Sequence, residues 1–280
     1  MINLSLPSPT QLAAYLARIG FSGRPRPDFE TLAALNRLHA EGLPYENFDV
    51  QLGRRVTRDP RAAYVKFLEQ RRGGWCYEYN GLFAWMLEGV GFRVRRLAGA
   101  VMREAAGQAA VGNHLVPVVE LDQLYVADPS MGLMEPVPIA EGPIRHGWRR
   151  FAFERLDGGW WRFRNHPDIP PPSMDFNLAV DDPALLDERC VWLQTDASSP
   201  FVRNAILQRN FADRLEAIVG RAHMTVNAQG KQEREIAGPD ELAHIARERF
   251  DVDVPDLPAL WARIAAAPAG GFLAPMETAS

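Results

Sequence analysis

A cysteine that directly follows a glycine pair is the residue of this sequence best suited to chemistry. Cys76 lies in the segment Arg-Gly-Gly-Trp-Cys-Tyr-Glu-Tyr-Asn, residues 72–80, and is one of only two cysteines in the chain. The free N–H groups and positive dipole end at a helix start favour an ionised sulfur. The segment therefore predicts a thiolate nucleophile, with a small apolar cysteine of the core as the alternative. The apolar residues that follow recur with helical spacing, at Tyr79, Leu82, Phe83, Met86, Leu87 and Val90.

A thiolate nucleophile needs a base, and His114 has the most distinctive context of the six histidines. It lies at the start of a β-branched run, residues 113–121, that is typical of a strand. We therefore predict His114 as the base. The other histidines fall in a polar helix tail, in loops rich in proline, glycine and arginine, or in a weakly patterned region: His39, His146, His166, His223 and His244.

Asp128 is the predicted third member, because it ends a second apolar run that would pair with the His114 strand in a hairpin. Side chains alternate between the two faces of a strand, so the loop length decides whether His114 and Asp128 share a face. A two-residue turn would place them on opposite faces. A three-residue loop over residues 121–123 would pair Val116 with Asp128 and make His114 its diagonal neighbour, at roughly 7–8 Å between backbones. The hypothesis predicts this loop, or a bulge near Pro117.

The three residues have complementary roles in acyl transfer. Asp128 would orient the imidazole and favour its charged form, and His114 would hold the proton taken from sulfur. Cys76 would then attack an acyl carbonyl. Its backbone N–H, with one further donor that the sequence does not identify, would stabilise the oxyanion.

The elements that position these residues predict an α+β fold of three parts. A helical subdomain, residues 1–91, carries Cys76, and a central β-barrel-like sheet, residues 92–190, carries His114 and Asp128. A C-terminal α/β lid, residues 191–280, would cover the cleft between them and exclude water. Spacing and capping residues predict helices over 9–19, 28–41, 60–70, 239–250 and 257–267, and strands over 93–103, 151–156, 160–164, 215–219 and 224–226.

The composition of the chain restricts its possible partners and its cellular compartment. A net charge of −4 argues against a nucleic-acid partner, which requires a basic face. Two cysteines form neither a disulfide framework nor a zinc cluster, so we expect a reducing compartment and no metal. Residues 1–11 lack the features of a signal peptide, and no apolar run approaches the roughly 20 residues of a membrane span. We therefore expect a cytoplasmic protein that does not associate with membranes, with its oligomeric state open.

The segment around Cys76 resembles the Arg-Gly-Gly-x-Cys-x-Glu-x-Asn motif of the arylamine N-acetyltransferases at every fixed position. The family element Pro-Phe-Glu-Asn-Leu appears here as Pro-Tyr-Glu-Asn-Phe, residues 44–48. The family's Thr-His pair appears as Asn113-His114, and its Ser-Pro-Phe element appears at residues 199–201. With length and order also matching, the resemblance covers nearly the whole chain.

This resemblance implies a catalytic core of the transglutaminase and cysteine-protease type and a ping-pong reaction. Cys76 would take an acetyl group from acetyl-coenzyme A as a thioester. An arylamine or arylhydrazine would then accept the acetyl group, with His114 relaying the amine proton. The implied role is the metabolism of xenobiotic amines, with the preferred amine and acyl donor left open.

The resemblance also implies roles for residues around the triad. Glu46 and Arg72 would form a buried ion pair that braces the cysteine loop, although such a pair would serve the fold equally well. Tyr45 would contact the aryl group, or belong only to the core. Gly112 and Asn113 are candidates for the coenzyme side. Anionic coenzyme A also needs a local basic patch, for which the candidates are Arg93, Arg95, Arg96 and Arg103, although a solvated strand face would explain these arginines equally well.

The chain departs from the family after the triad aspartate. The family continues Val-Gly-Phe-Gly, whereas this chain reads Pro129-Ser130-Met131-Gly132. Met131 would replace the pocket aromatic with a flexible side chain that contacts the substrate. Pro129 removes one backbone N–H near the predicted site.

Three other functions remain open from sequence. The same triad would serve a cysteine hydrolase or transglutaminase-like enzyme, in which the acceptor is water or a lysine. The cysteine motif also suits an amide synthase of a biosynthetic pathway, which the departure at Met131 favours. A non-enzymatic binding module would instead have an unreactive Cys76.

Overall fold

The computed structural model describes residues 5–267. Two segments lie outside the described part, residues 1–4 and residues 268–280. The first belongs to the segment predicted to lack a signal peptide, and the second belongs to the predicted lid. The described helices are α1 (Pro9–Arg18), α2 (Phe29–Gly42), α3 (Phe48–Gln51), α4 (Pro60–Glu69), α5 (Cys76–Val90), α6 (Arg103–Ala106), α7 (Pro183–Thr195), α8 (Pro200–Arg203), α9 (Pro239–Phe250) and α10 (Leu257–Ala266). The described strands are β1 (Tyr45–Glu46), β2 (Arg93–Val101), β3 (His114–Glu120), β4 (Leu124–Val126), β5 (Val137–Pro138), β6 (Gly142–His146), β7 (Arg149–Arg155), β8 (Trp160–Arg164), β9 (Ser173–Asn177), β10 (Ile206–Asn210), β11 (Arg214–Val219), β12 (Ala222–Asn227) and β13 (Gly230–Glu235).

Capping residues stand at the ends of three predicted helices. Ser8 and Gln11 form a reciprocal capping box at the start of α1, and Asp28 accepts from the N–H of Thr31 at the start of α2. Gly91 ends α5 in the left-handed region, with φ of 109°. Among the described residues, no helix has both the length and the apolar character to cross a membrane.

The larger sheet follows the strand order β5-β4-β3-β2-β9-β8-β7-β6 among the described residues and forms the barrel-like core. Within it, β3 and β4 pair Val118 with Val126 and Glu120 with Leu124, across a loop over residues 121–123. The three-residue loop predicted from side-chain parity is therefore confirmed. On the other side of β3, Gly99 pairs with His114. A Cβ on Gly99 would lie 2.6 Å from Val116 Cγ2, so only glycine allows this close strand packing.

The smaller sheet joins the N-terminal helical region to the C-terminal part of the chain. Its order is β1-β10-β11-β12-β13, so β1 pairs with a strand that comes about 160 residues later. Helices α9 and α10 pack on this sheet through an apolar cluster that includes Leu242, Ile245 and Leu260. The spacing patterns did not predict β1, β10 or α7, and α7 runs across the boundary proposed at residue 190. The three-part division stays a prediction.

Candidate active site

The predicted nucleophile lies at the junction of the cysteine loop and α5. Cys76 is the first residue of α5 and has only 1% of its surface exposed. The glycine pair before it is required by packing. A Cβ on Gly73 would lie 2.4 Å from the carbonyl oxygen of Pro44, and one on Gly74 would lie 2.8 Å from a carboxylate oxygen of Glu78. The loop therefore approaches β1 closely and leaves the sulfur at the helix start.

The structure brings His114 and Asp128 together beside that sulfur. His114 Nε2 lies 2.7 Å from Asp128 Oδ2, and both side chains are buried. The His114 ring also hydrogen-bonds with the side chain of Cys76. Because Asp128 occupies Nε2, Nδ1 is the ring nitrogen left for the sulfur. The three residues therefore form a connected carboxylate, imidazole and thiol series.

The electrostatics of this series favour a charged imidazole. Burial alone would lower the pKa of His114. The charge of Asp128 and hydrogen bonds with Asp128 and Cys76 outweigh it and raise that pKa to about 10. Burial would likewise raise the pKa of Asp128, but His114 and nearby hydrogen-bond donors hold it below its ordinary value. Near neutral pH the site therefore contains an imidazolium between a carboxylate and a sulfur, which is the environment that stabilises a thiolate.

Two polar side chains hold the second oxygen of Asp128. Asn80 Nδ2 donates to Asp128 Oδ1 over 2.8 Å and to the carbonyl of Leu115 over 2.7 Å. The hydroxyl of Ser130 donates to the same Oδ1 over 2.7 Å. Sequence reasoning assigned neither residue a role, although Asn80 lies one helical turn after Cys76 and so faces the same side of α5.

A buried cluster of charges lies behind the cysteine loop. Arg72 Nη2 lies 2.7 Å from Glu46 Oε1, as the resemblance implied, and 3.2 Å from Asp49 Oδ1. Lys66 Nζ, which sequence reasoning missed, lies 2.8 Å from Asp49 Oδ2 and 3.1 Å from Glu78 Oε1. Glu46, Asp49 and Glu78 thus share two buried cations, and Asp49 also lies 3.5 Å from the exposed Arg54. The signal for Lys66 was its place on α4, where it falls on the buried face with Ala63 and Phe67.

Glu78 links this cluster to the start of α5. Its carboxylate accepts from the backbone N–H of Trp75 over 3.3 Å, which caps the helix that begins with Cys76. Burial raises the pKa of Glu78 to about 7, although the charge of Lys66 lowers that pKa and the charge of Glu46 adds a smaller increase. The charge cluster therefore supports the backbone that positions the sulfur.

The structure places Tyr45 at the sulfur. Its side chain is buried, and its hydroxyl interacts with both the sulfur and the backbone N–H of Cys76. Met131 instead packs with apolar residues of the barrel core, such as Val116 and Val126. A substrate contact at either residue stays a prediction.

Gly112 and Asn113 have structural roles in this fold. Gly112 has a φ of 87°, and a Cβ there would lie 2.9 Å from Arg189 Cγ on α7. Asn113 accepts from the N–H of Val101 over 2.8 Å and donates to its carbonyl over 3.1 Å. Their predicted contact with a coenzyme remains untested.

The arginines proposed as a basic patch are mostly engaged elsewhere. Arg96 forms two hydrogen bonds with Glu88, at 2.6 and 2.8 Å, and Arg103 lies 3.1 Å from Asp175. Arg95 donates to the carbonyl of Leu178. These contacts favour a structural role for Arg95, Arg96 and Arg103.

Two of the other described histidines, His39 and His223, have partners away from Cys76. His39 Nδ1 lies 2.7 Å from the hydroxyl of Tyr15, and burial lowers the pKa of His39 to about 3. His223 lies 3.0 Å from Glu216 in the smaller sheet. Within residues 5–267, no group of three or more histidine, cysteine or acidic side chains could hold a metal ion.

The chain is similar to known proteins over most of its length. A family model described as N-acetyltransferase matches residues 28–258. The arylamine N-acetyltransferase of Mycobacterium tuberculosis is 39% identical over 267 residues, which cover 88% of this chain and 90% of that protein.

Solved structures of such enzymes share the fold. The crystal structure of Nocardia farcinica arylamine N-acetyltransferase has a TM-score of 0.80 at 30% identity, covering 90% of this chain and 93% of that one. The Mycobacterium marinum enzyme, solved in complex with CoA, has a TM-score of 0.81 at 23% identity, covering 90% and 98%.

Proposed function

The chain belongs to the arylamine N-acetyltransferase family and is an acyltransferase, and from this membership we propose that Cys76 carries the transferred acetyl group. The donor in this proposal is acetyl-coenzyme A, and the acceptor is an arylamine or arylhydrazine. The observation that supports it is the connected series of Cys76, His114 and Asp128.

In the first half-reaction the Cys76 thiolate attacks the carbonyl carbon of the acetyl thioester. The carbonyl oxygen becomes an oxyanion, which the Cys76 backbone N–H stabilises. When the intermediate collapses, the bond from carbon to the coenzyme sulfur breaks. Coenzyme A leaves with the proton held by His114, which becomes neutral, and the acetyl group remains on Cys76.

In the second half-reaction the amine nitrogen attacks the same carbonyl carbon. An aromatic amine is largely unprotonated near neutral pH, so its lone pair is available. Neutral His114 takes the amine proton, and the bond from carbon to the Cys76 sulfur breaks. The amide leaves, and the thiolate and imidazolium are restored, with Asp128 stabilising the charged ring. Because Cys76 is 1% exposed, bulk water has little access to the thioester.

The cellular compartment and the small-molecule partners of this reaction are also part of the proposal. Both cysteines, Cys76 and Cys190, are free thiols, which suits the reducing cytoplasm. Coenzyme A is present in the M. marinum complex, a protein with the same fold. We therefore propose coenzyme A thioesters and aromatic amines as the small-molecule partners, without assigning residues to the coenzyme.

Intact mass spectrometry after mixing with acetyl-coenzyme A tests the thioester directly. The parent protein should gain one acetyl group and lose it when an arylamine is added. Cys76→Ser should gain none. Cys190→Ser is the matched control, because Cys190 is equally buried but lies on α7, and it should acetylate like the parent.

Two results would contradict the proposal. One is acetylation that persists in Cys76→Ser. The other is an adduct that water removes as fast as it forms, which would indicate a hydrolase.

A further inference from the structure

We propose that Tyr45 is a catalytic residue whose hydroxyl donates a hydrogen bond to the Cys76 thiolate and then to the oxyanion of the acyl-transfer intermediate. The inference rests on the proposed role of Cys76 as the acyl carrier. It supplies the second oxyanion donor that sequence reasoning left unidentified.

The backbone of Tyr45 is fixed from two sides. Tyr45 forms a parallel bridge with Gly74 of the cysteine loop, and the N–H of Glu46 donates to the Gly74 carbonyl over 3.0 Å. Across β1, Tyr45 pairs with Gln208 of β10. Backbone contacts therefore hold Tyr45 between the cysteine loop and a second strand.

Strand alternation directs the two side chains of β1 to opposite faces. The Glu46 carboxylate reaches Arg72 at 2.7 Å, in the charge cluster behind the loop. Tyr45 therefore faces the other way, towards the sulfur, and its ring centroid lies 6.0 Å from that of Tyr79.

The hydroxyl of Tyr45 faces both polar groups that the reaction uses. It interacts with the Cys76 sulfur and with the Cys76 backbone N–H. A phenol can accept from the N–H while it donates to the sulfur. Burial, with a contribution from the charge of Cys76, raises the pKa of Tyr45 well above its ordinary value. The hydroxyl therefore keeps its proton and remains a donor at physiological pH.

The position of the Tyr45 hydroxyl also allows it to donate a hydrogen bond to the oxyanion. The acyl oxygen must approach the Cys76 N–H, and the Tyr45 hydroxyl already interacts with that N–H. Once the sulfur is bonded to carbon, the hydroxyl can turn its hydrogen from the sulfur to the acyl oxygen. No proton is transferred in this step. The family element that residues 44–48 resemble has phenylalanine at this position, so the hydroxyl is a feature of this chain.

Tyr45→Phe removes the hydroxyl and keeps the ring. Two measurements on this variant test the proposal. They are the pH dependence of Cys76 alkylation by iodoacetamide and the single-turnover rate of acylation by acetyl-coenzyme A. We expect the alkylation midpoint to rise by about one pH unit, because the thiolate loses a donor. We expect acylation to slow by about 10-fold or more, with KM for acetyl-coenzyme A little changed.

Tyr79→Phe is the matched control. Tyr79 is an equally buried neighbour whose hydroxyl donates to the carbonyls of His39 and Leu43, away from the sulfur. Its alkylation midpoint should match the parent. A Tyr45→Phe profile that superimposes on the parent would overturn the proposal.

Two further outcomes are distinguishable. If the parent protein is not acylated at all, the proposed function fails, while the alkylation profiles still decide whether Tyr45 acts on the sulfur. If thermal melting shows that Tyr45→Phe is unfolded, 3-fluorotyrosine at position 45 replaces it. This stronger donor should lower the alkylation midpoint, and an unchanged midpoint would refute the role.

Discussion

Asp128 Oδ2 lies 2.7 Å from His114 Nε2 because a three-residue loop places the two side chains on one face of the hairpin formed by β3 and β4. A loop shorter by one residue would turn the carboxylate to the opposite face. The loop length is therefore as important to the site as the identity of its residues.

Asp128→Asn should slow acylation of Cys76 by about 1,000-fold or more. The amide has nearly the same size, so the hairpin should persist, but it cannot stabilise an imidazolium by charge. Single-turnover mass spectrometry with acetyl-coenzyme A measures the rate. Asp187→Asn is the control, since Asp187 pairs with Arg58 at the surface and should leave the rate unchanged. Equal rates for parent and Asp128→Asn would remove Asp128 from the mechanism.

Local patterns predicted more of this structure than pairings between distant segments. The helix start at Ser8 and the parity of the hairpin loop depend on neighbouring residues, and the structure confirms both. Strand β1 has only two residues, and its partner comes about 160 residues later, so no local periodicity could reveal it.

The residues of the candidate site show the same difference between local patterns and long-range contacts. The proximity of Cys76, His114 and Asp128 was predictable because each lies at or next to the end of a patterned element. Lys66 and Ser130 were missed because their importance arises only from groups that tertiary folding brings to them. A serine after proline has no distinctive sequence context, and the spacing of Lys66 from Ala63 and Phe67 indicates a buried position but not its charged partners.

His114 should make protein stability decline at alkaline pH. Its pKa in the folded protein is about 10, against 6.5 for an ordinary histidine. Between these values the folded protein holds a proton that the unfolded chain has lost, so raising the pH favours unfolding. This contribution is fully present below about pH 6.5 and is lost as the pH rises through about 10.

Urea unfolding of the parent and of His114→Gln across this range measures the effect. The stability advantage of the parent should shrink steadily towards pH 10. His244→Gln, at an exposed position of α9, controls for the general loss of a histidine. A difference between parent and His114→Gln that stays constant with pH would contradict the charged imidazole.

Ser130→Gly should move the acid limb of the pH–rate profile to higher pH. The Ser130 hydroxyl donates to Asp128 Oδ1 and helps to lower the pKa of that carboxyl, so its loss lets Asp128 take up a proton more easily. Acylation rates measured from about pH 4 to 8 should show the shift, with a fall of about 2- to 10-fold at the acid end.

The change restores the glycine that the family has at this position. Ser198→Ala, which removes an exposed hydroxyl bonded to Asp196, should leave the profile in place. A uniform loss of activity at every pH would indicate that Ser130 only supports the fold.

Lys66→Met should destabilise the protein by about 3–5 kcal/mol. It leaves the carboxylates of Glu46, Asp49 and Glu78 with Arg72 as the buried cation that remains, and with the exposed Arg54 3.5 Å from Asp49. Glu78, whose pKa is already about 7, can relieve part of this repulsion by taking up a proton. The loss should therefore be larger at about pH 8 than at about pH 6, as urea unfolding can measure.

Arg61→Met on the same helix provides the comparison, because Arg61 is half-exposed and pairs with the partly exposed Asp59, so its removal should change stability little. If both substitutions have the same small effect, the cluster behind the cysteine loop does not stabilise the fold. If Lys66→Met is destabilising but pH-independent, the lost packing of the lysine stem explains the effect better than the unpaired charge of Glu78. The pH dependence thus separates an electrostatic brace for the Cys76 helix from a purely steric one.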